Sequence, residues 1–365
     1  MSSSVQSSSN RLAYLDWARG AAAVIMLQGH VFHSFAEKSV REGSAYVFSQ
    51  FVGGIAPAIF LFLTGVTLAF LMASRERRGL GAAARFRAAL GRSGYLFGIA
   101  FLFRFQLYLT GLPDNSWTDI FRVDILNSMG LAILVFSPLA ALAAEQRVRA
   151  GAMLGLAVAA VSPLVSAADW SWLPPFARHY IVPDYNFFAF FPWAAFVAFG
   201  VSAGTILRMA GQINTQRLMQ WSALAGLALI VGGRYLSDLP YTPYDKSEFW
   251  LNSPMLILIK LGIILLALPL AYLWTSHGLG GQWSWVRQIG TTSLLVYWVH
   301  IELVYGRWFG AWKESLPVAQ CVVAAVILVA MMAGLSVVRT QWKTIRAALA
   351  WFGYLPPAPE RVSGD

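Results

Sequence analysis

The sequence predicts an all-α integral membrane protein, a polytopic bundle of about ten transmembrane helices around a central polar cavity. Hydrophobic residues make up 58% of the 365 residues and charged residues only 12%, against about a quarter charged in a typical soluble domain. Aromatic residues reach 14%, as expected where aromatic belts line both membrane interfaces. The apolar residues form long continuous runs, unlike the short alternating segments of a β-barrel.

Ten apolar segments approach or exceed the length of about 20 residues that a span needs. They are predicted at residues 15–35, 50–73, 94–112, 124–144, 151–167, 187–207, 219–237, 254–274, 291–310 and 318–338. The fifth is short and Arg104 interrupts the third, so about nine to eleven spans fit the sequence. We predict an N-terminal tail at 1–14, a transmembrane domain at 15–338 and a C-terminal tail at 339–365.

The basic residues predict the orientation. With the N-terminus inside, most of the 27 Lys and Arg residues fall in linkers on the inner side, as the positive-inside rule requires. Both termini are therefore predicted to be cytoplasmic, and the net charge of +10 is a topological signal and no nucleic-acid footprint. The start, "MSSSVQSSSNR", lacks the pattern of a signal peptide, so the first span is predicted to be a retained anchor.

The first span, "LDWARGAAAVIMLQGHVFHSF", carries polar groups where lipid would exclude them. Arg19 and His30 are eleven residues apart, which places them on one helix face about 16 Å apart along the axis. Asp16 lies on the same face as Arg19, and His33 is one turn beyond His30. Because a charge in a span is costly, such groups usually face a cavity or a partner. The alternatives are a helix-end ion pair for Asp16 and Arg19, a packing role for His30 and an interfacial His33.

Other predicted spans also hold polar residues. They are Arg104, Asp124, Asn127, Lys260, His300 and Glu302. Most fall at mid-depth or toward the outer side, which predicts one polar cavity that opens outward.

An arginine-rich inner linker, "RERRGLGAAARFRAALGR", spans residues 75–92. One interpretation is positive-inside retention with attraction to anionic lipid. The other is a phosphate dock that includes Arg85, Arg87 and Arg92, because guanidinium groups suit phosphate oxygens.

Several common site motifs do not occur in the sequence. It has no Walker loop, no G-x-G-x-x-G turn, no H-E-x-x-H and no Cys/His metal cluster, and no Ser-centred nucleophile elbow. The single Cys321 is expected to be a buried small hydrophobe, and "GVSAG" at 200–204 is expected to pack helices. Chemistry built from His, Arg, Asp and Glu indicates acid–base or proton-coupled work.

The longer outer loops, near 168–186 and 238–253, are rich in Pro and aromatic residues. Aromatic faces often hold sugars, but interfacial belts have the same composition.

These motifs resemble a known group. "RLAYLDWARGAAAVIMLQGH", with Arg19, ten residues and His30, resembles the R-x10-H signature of the transmembrane acyltransferase superfamily. "APAIFLFLTGVTLAF", "VDILNSMGLAIL", "FPWAAFVAFGVSAG" and "GTTSLLVYWVH" resemble more closely the bacterial relatives of heparan-α-glucosaminide N-acetyltransferase. The resemblance covers most of the chain.

The resemblance implies a transfer of an acyl group, acetyl in the first instance, from cytoplasmic acyl-CoA to a hydroxyl or amine of a glycan, such as a glucosamine-containing acceptor, on the extracytoplasmic side. It implies a multi-pass protein of the bacterial cytoplasmic membrane, with surrounding lipid, no nucleic-acid partner, no metal and no bound cofactor. His30 takes the catalytic role, with Arg19 and Asp16. Arg85, Arg87 and Arg92 are the acyl-CoA candidates. The acceptor-binding or supporting candidates are His33, Arg104, Asp124, Asn127, Lys260, His300 and Glu302.

Some alternatives stay open. The lysosomal branch of the family has Asn where this chain has His30, so His30 and His33 compete as the working base. A proton-coupled transporter or carrier of a sugar-containing solute is the alternative function, since relays use intramembrane His, Asp, Glu and Lys. Transporters often show internal repeats, and none is evident. The acyl group (acetyl or succinyl), N- or O-acylation and a homodimer stay open.

Overall fold

The computed structural model describes residues 6–211, 214–277 and 283–342. The start of the predicted N-terminal tail and the predicted C-terminal tail from residue 343 onward lie outside the described residues. The α-helices within the described residues are α1 (Gln6–Phe35), α2 (Ser44–Gly53), α3 (Ala56–Arg77), α4 (Ala82–Thr110), α5 (Ile125–Phe136), α6 (Ala144–Ala167), α7 (Pro175–Ile181), α8 (Phe190–Met209), α9 (Thr215–Ser237), α10 (Pro254–His277), α11 (Trp285–Thr291), α12 (Ser293–Tyr305) and α13 (Val318–Thr340).

The chain divides into two compact units. Within the described residues, the large unit comprises residues 6–18, 54–211 and 214–277, and the small unit comprises residues 19–53 and 283–342. The large unit therefore holds α3 to α10, and the small unit holds most of α1 together with α2 and α11 to α13. The prediction of one transmembrane domain over 15–338 stays a prediction.

The predicted all-helical membrane class is confirmed at a coarser level. Within the described residues, five helical segments are long and apolar enough to cross a membrane. They are Ser44–Arg77, Ala144–Ala167, Phe190–Met209, Pro254–Ser276 and Val318–Thr340. Ile125–Ala141 and Ser293–Tyr305 are shorter apolar segments. The count of about ten spans and the central cavity stay predictions.

Each of the ten predicted segments lies on helical structure, but several boundaries differ. The segment predicted at 50–73 is interrupted at residues 54 and 55, where α2 ends and α3 begins with Pro57 in its first turn. Proline suits this position because its missing N–H has no helical partner there. The segment predicted at 124–144 leaves the α-helix after Phe136 and continues as a 3-10 turn. The segment predicted at 291–310 breaks at Thr292, between α11 and α12.

Small residues set the closest helix packing in the large unit. A side chain at Gly200 of α8 would collide with the backbone carbonyl of Phe62 on α3, and one at Gly65 would collide with that of Val197. Transmembrane helices use such residues because close backbone approach compensates for a weak hydrophobic drive in lipid. The predicted packing role of "GVSAG" is confirmed at Gly200.

The small unit is held together around the C-terminal end of α1. The backbone N–H groups of Glu314 and Leu316 donate to the carbonyls of Ser34 and Phe35, at 3.0 and 2.8 Å. These carbonyls belong to the last turn of α1, which has no helical donors of its own. The predicted burial of Cys321, on the following helix α13, is confirmed.

Candidate functional site

Two histidines meet in the small unit, although they are 270 residues apart in the sequence. His30 Nδ1 on α1 lies 2.9 Å from His300 Nε2 on α12. The ring centroids are 5.1 Å apart and the ring planes are inclined by 15°. His300 is fully buried, and its Nδ1 lies 2.8 Å from the carbonyl oxygen of Val296, one turn earlier on α12. The structure therefore joins the expected catalytic His30 to His300 in a hydrogen-bonded pair, the His pair.

Tyr305, at the end of α12, lies beside both histidines of α1. Its ring meets that of His30 edge-on at 5.4 Å, and its hydroxyl lies 3.1 Å from His33 Nδ1. His33 is exposed, whereas His30 is half-buried and bonded to the buried His300. Of the two candidate bases, His30 is therefore the one that is hydrogen-bonded to a buried side chain. Tyr305 was missing from the sequence prediction, since nothing distinguishes it from an interfacial tyrosine.

The remaining candidates on these helices lie elsewhere along them. Arg19 is half-buried about three turns before His30 on α1, and Asp16, also half-buried, is about four turns before it. Glu302 follows His300 by two positions on α12, which turns it away from the face that carries His300.

A second polar cluster, the Asp124 cluster, lies in the large unit. Asp124 precedes α5 and caps it, because its Oδ1 accepts hydrogen bonds from the backbone N–H groups of Leu126 and Asn127 at 3.0 and 3.3 Å. Asn127 returns the contact by accepting the N–H of Asp124 at 3.2 Å, which completes a capping box. Arg104 Nε of α4 donates to the other carboxylate oxygen, Oδ2, at 3.1 Å. The structure therefore brings these three predicted residues together.

Tyr180, on the short helix α7, extends the Asp124 cluster. Asn127 Oδ1 is occupied by the backbone, so its Nδ2 faces the hydroxyl of Tyr180 and donates to it at 3.0 Å. The hydroxyl proton of Tyr180 must then point away from Asn127. Sequence reasoning missed Tyr180. The D-x-x-N spacing before an apolar run is a capping signal for Asp124 and Asn127, but nothing in the aromatic loop singles out Tyr180.

Lys260 lies on α10 in the large unit and is nine-tenths buried. Its ammonium is 5.0 Å from the centroid of the Trp193 ring on α8, a cation–π contact. Within the part of the chain that the structure describes, no hydrogen bond or ion pair joins Lys260 to the Asp124 cluster.

The predicted arginine site divides into buried and exposed members. Arg85 is buried and its Nη1 lies 2.7 Å from Glu76 Oε1. Arg147, which is 1% exposed, approaches the other oxygen of Glu76 at 3.5 Å and donates to the carbonyls of Leu139 and Leu142. This triad ties the ends of α3, α4 and α6 together.

Arg87 and Arg92 differ from Arg85 because both are exposed on α4. The Arg92 guanidinium lies 5.2 Å from the centroid of the Tyr95 ring. These two arginines are therefore accessible to an anionic ligand.

The two aromatic loops of the large unit contact each other. The Tyr185 hydroxyl of the first loop lies 3.0 Å from Glu248 Oε2 of the second. Asn252 Nδ2 of the second loop also donates to Ser166 Oγ in the last turn of α6 at 2.8 Å. Tyr241 and Trp172 stay exposed at 86% and 72%, which fits an interfacial belt as well as a sugar-binding face.

Among residues 6–211, 214–277 and 283–342, no group of three or more His, Cys, Asp or Glu residues forms a metal site.

Comparison with known proteins adds the family. Residues 11–237 match the family described as heparan-alpha-glucosaminide N-acetyltransferase, catalytic. The comparison with curated proteins finds no match. The match covers more than half of the 365 residues, and it includes His30 and the Asp124 cluster. The chain therefore belongs to the family of the heparan-alpha-glucosaminide N-acetyltransferase catalytic domain, and its function is of the membrane acetyltransferase type.

Proposed function

We propose that the protein transfers an acetyl group from cytoplasmic acetyl-CoA, or another acyl group from its acyl-CoA, to a hydroxyl or amine of a glycan on the extracytoplasmic side of a bacterial cytoplasmic membrane. Family membership supports acetyl transfer. The observation that carries the site assignment is the hydrogen bond between His30 and the buried His300. In this proposal both termini are cytoplasmic.

The reaction needs a base, because a glycan hydroxyl attacks poorly until its proton is removed, and an amine must lose a proton as the amide forms. Histidine is the side chain most often used for this. The acceptor oxygen or nitrogen forms a bond to the thioester carbon while its proton passes to His30. The carbon–sulfur bond then breaks, and the sulfur of CoA takes the proton from His30. The imidazole thus returns to its starting state.

The donor side is proposed to lie at the arginine-rich ends of α3 and α4. Arg87 and Arg92 are exposed, and guanidinium groups pair well with the phosphates of CoA. Arg85 is engaged with Glu76, so its expected contribution is to hold this end of the helices. Arg19, about 16 Å from His30 along α1, marks the donor-facing part of the same helix face.

The acceptor side is proposed to use the Asp124 cluster. Arg104 donates a hydrogen bond from Nε to Asp124, and no other hydrogen bond of Arg104 occurs within the described residues. Its Nη groups are therefore available to an acceptor hydroxyl. His33, Asn127, Lys260 and Glu302 are proposed as supporting residues of this side.

A liposome assay tests the function. Purified protein is reconstituted with labelled acetyl-CoA on one side and candidate glycans on the other, and product is detected by intact mass. We expect transfer by the wild type and a fall in kcat of about 10²–10⁴-fold in His30→Ala, the usual contribution of a general base. His179→Ala is the matched control, because His179 stacks on Phe187 in an aromatic loop.

The same assay separates the alternatives. Loss of transfer in His33→Ala, with His30→Ala fully active, would assign the base to His33. Ion-dependent uptake of a sugar without any transfer of label or hydrolysis of acetyl-CoA would replace the enzyme by a transporter.

Binding of CoA tests the donor side. We expect Arg87→Gln and Arg92→Gln each to weaken CoA affinity about tenfold, since hydrogen bonds to charged groups contribute about 1.5–3 kcal/mol. Arg149→Gln is the control, because Arg149 is also an exposed arginine at a helix start in the same unit. If all three variants bind CoA with the affinity of the wild type, the arginine cluster is only a topology signal.

A further inference from the structure

The proton positions in the His pair follow from its hydrogen-bond partners. His300 Nδ1 lies 2.8 Å from the carbonyl oxygen of Val296. A carbonyl oxygen only accepts hydrogen bonds, so Nδ1 of His300 must carry a proton and donate it. This bond is built into α12, because His300 and Val296 are one helical turn apart.

The proton on His300 determines the proton on His30. With one proton on each imidazole, Nε2 of His300 has a lone pair and is an acceptor. His30 Nδ1, 2.9 Å away, must then be the donor. The lone pair of His30 is consequently left on Nε2, and no protein group bonds to that atom within the described residues.

We infer that His300 is a positioning residue which keeps the proton of His30 on Nδ1 and so makes Nε2 the base. This inference rests on the proposed function for its catalytic meaning. His300 lies outside the residues 11–237 that match the family, so the assignment comes from the hydrogen-bond geometry. In serine proteases a buried carboxylate fixes the histidine tautomer; here an imidazole and a backbone carbonyl do so.

The pair also offers a place for the positive charge. When Nε2 of His30 takes the acceptor proton, the proton on Nδ1 can cross the 2.9 Å bond to Nε2 of His300. His300 then carries both protons and keeps its bond to Val296. When the sulfur of CoA takes the proton from His30 Nε2, the shared proton returns to His30 Nδ1.

Nitrogen-15 NMR tests the tautomer directly. Protein with labelled histidine is studied in liposomes, and the five histidines are assigned by single substitution. We expect the wild-type His30 signal to show a protonated Nδ1 and an unprotonated Nε2. His300→Gln should preserve this pattern, because the Gln carbonyl oxygen can accept from His30 Nδ1. His300→Phe, which keeps a ring without an acceptor, should give a mixture of tautomers.

Activity provides the second measurement. We expect kcat to fall about 10²-fold or more in His300→Phe, toward the lower range for a lost acid–base contribution, and to recover at least tenfold in His300→Gln. If His300 had only a structural role, kcat would fall equally in His300→Phe and His300→Gln, and the tautomer of His30 would be unchanged in both variants.

The outcomes separate this inference from the proposed function. A wild-type His30 with its proton on Nε2 overturns the inference even if acetyl transfer is observed. Failure of all acetyl transfer, with the expected tautomer present, overturns the function and leaves the proton assignment. The wild-type spectrum decides the tautomer even if neither variant folds.

Discussion

The His pair of the small unit and the Asp124 cluster of the large unit both join residues that are distant in sequence, but they hold protons differently. Each imidazole of the His pair can accept or donate, so its protons can move across the 2.9 Å bond. In the Asp124 cluster the carboxylate accepts from Arg104 and two backbone N–H groups, and arginine does not release its proton. The difference favours the proposed proton transfer in the His pair and a structural role for the Asp124 cluster.

The largest expected effect on stability comes from Asp124→Ala. This change leaves the mostly buried Arg104 without its partner and removes the cap of α5, so we expect a loss of about 3–5 kcal/mol of unfolding free energy. The thermal midpoint in detergent measures it. Asp238→Ala removes the exposed ion pair of Asp238 with Arg234 and should cost less than about 1 kcal/mol. An equal shift in both variants would refute the structural role of the Asp124 cluster.

Tyr180→Phe should have an intermediate effect. The substitution leaves Asn127 Nδ2 without its 3.0 Å partner, while the carboxylate and Arg104 keep theirs. We therefore expect a loss of about 1 kcal/mol of unfolding free energy, the usual net contribution of a hydrogen bond. Tyr185→Phe, which removes the exposed bond to Glu248, is the matched control and should change the thermal midpoint less. An unchanged thermal midpoint in Tyr180→Phe would show that Tyr180 does not contribute to stability and that the cluster consists of Arg104, Asp124 and Asn127 alone.

In both regions the sequence predicted which polar residues need partners, but it did not predict the partners themselves. Helical periodicity and the cost of charge in lipid act locally, so His30, Asp124 and Arg104 were predictable as polar groups that need partners. The capping of α5 is also local, since Asp124 and Asn127 are three residues apart. The partners themselves depend on packing between distant segments, which is why the bond from His30 to His300 and the role of Tyr180 required the structure.

The arginine linker shows the same limit. Six arginines between residues 75 and 92 look equivalent in sequence. Only the fold distinguishes Arg85, which is buried against Glu76, from the exposed Arg87 and Arg92.

The smallest expected effect tests whether charge also matters at the His-pair end of α1. Glu314 lies near the last turn of α1 and pairs with Lys38 at 3.3 Å and Arg41 at 3.1 Å. The hydrogen bond to Lys38 and its charge, followed by the charge of Arg41, lower the pKa of the Glu314 carboxyl. A carboxyl with a lowered pKa stabilises the folded state at pH values above its ordinary pKa of about 4.3. This contribution is lost as the pH falls through the lowered value.

We therefore expect Glu314→Gln to lower the thermal midpoint slightly near neutral pH and to match the wild type in acid, below the lowered pKa. Glu42→Gln removes the same charge from an exposed residue nearby that has no ion pair within the described residues, and it should leave the midpoint unchanged at both pH values. The effect should be small because the pair is exposed and because backbone hydrogen bonds from Glu314 and Leu316 already hold this end of α1. A shift as large as that of Asp124→Ala would show that the small unit depends on fixed charge as the large unit does, and the contrast between the two regions would fail.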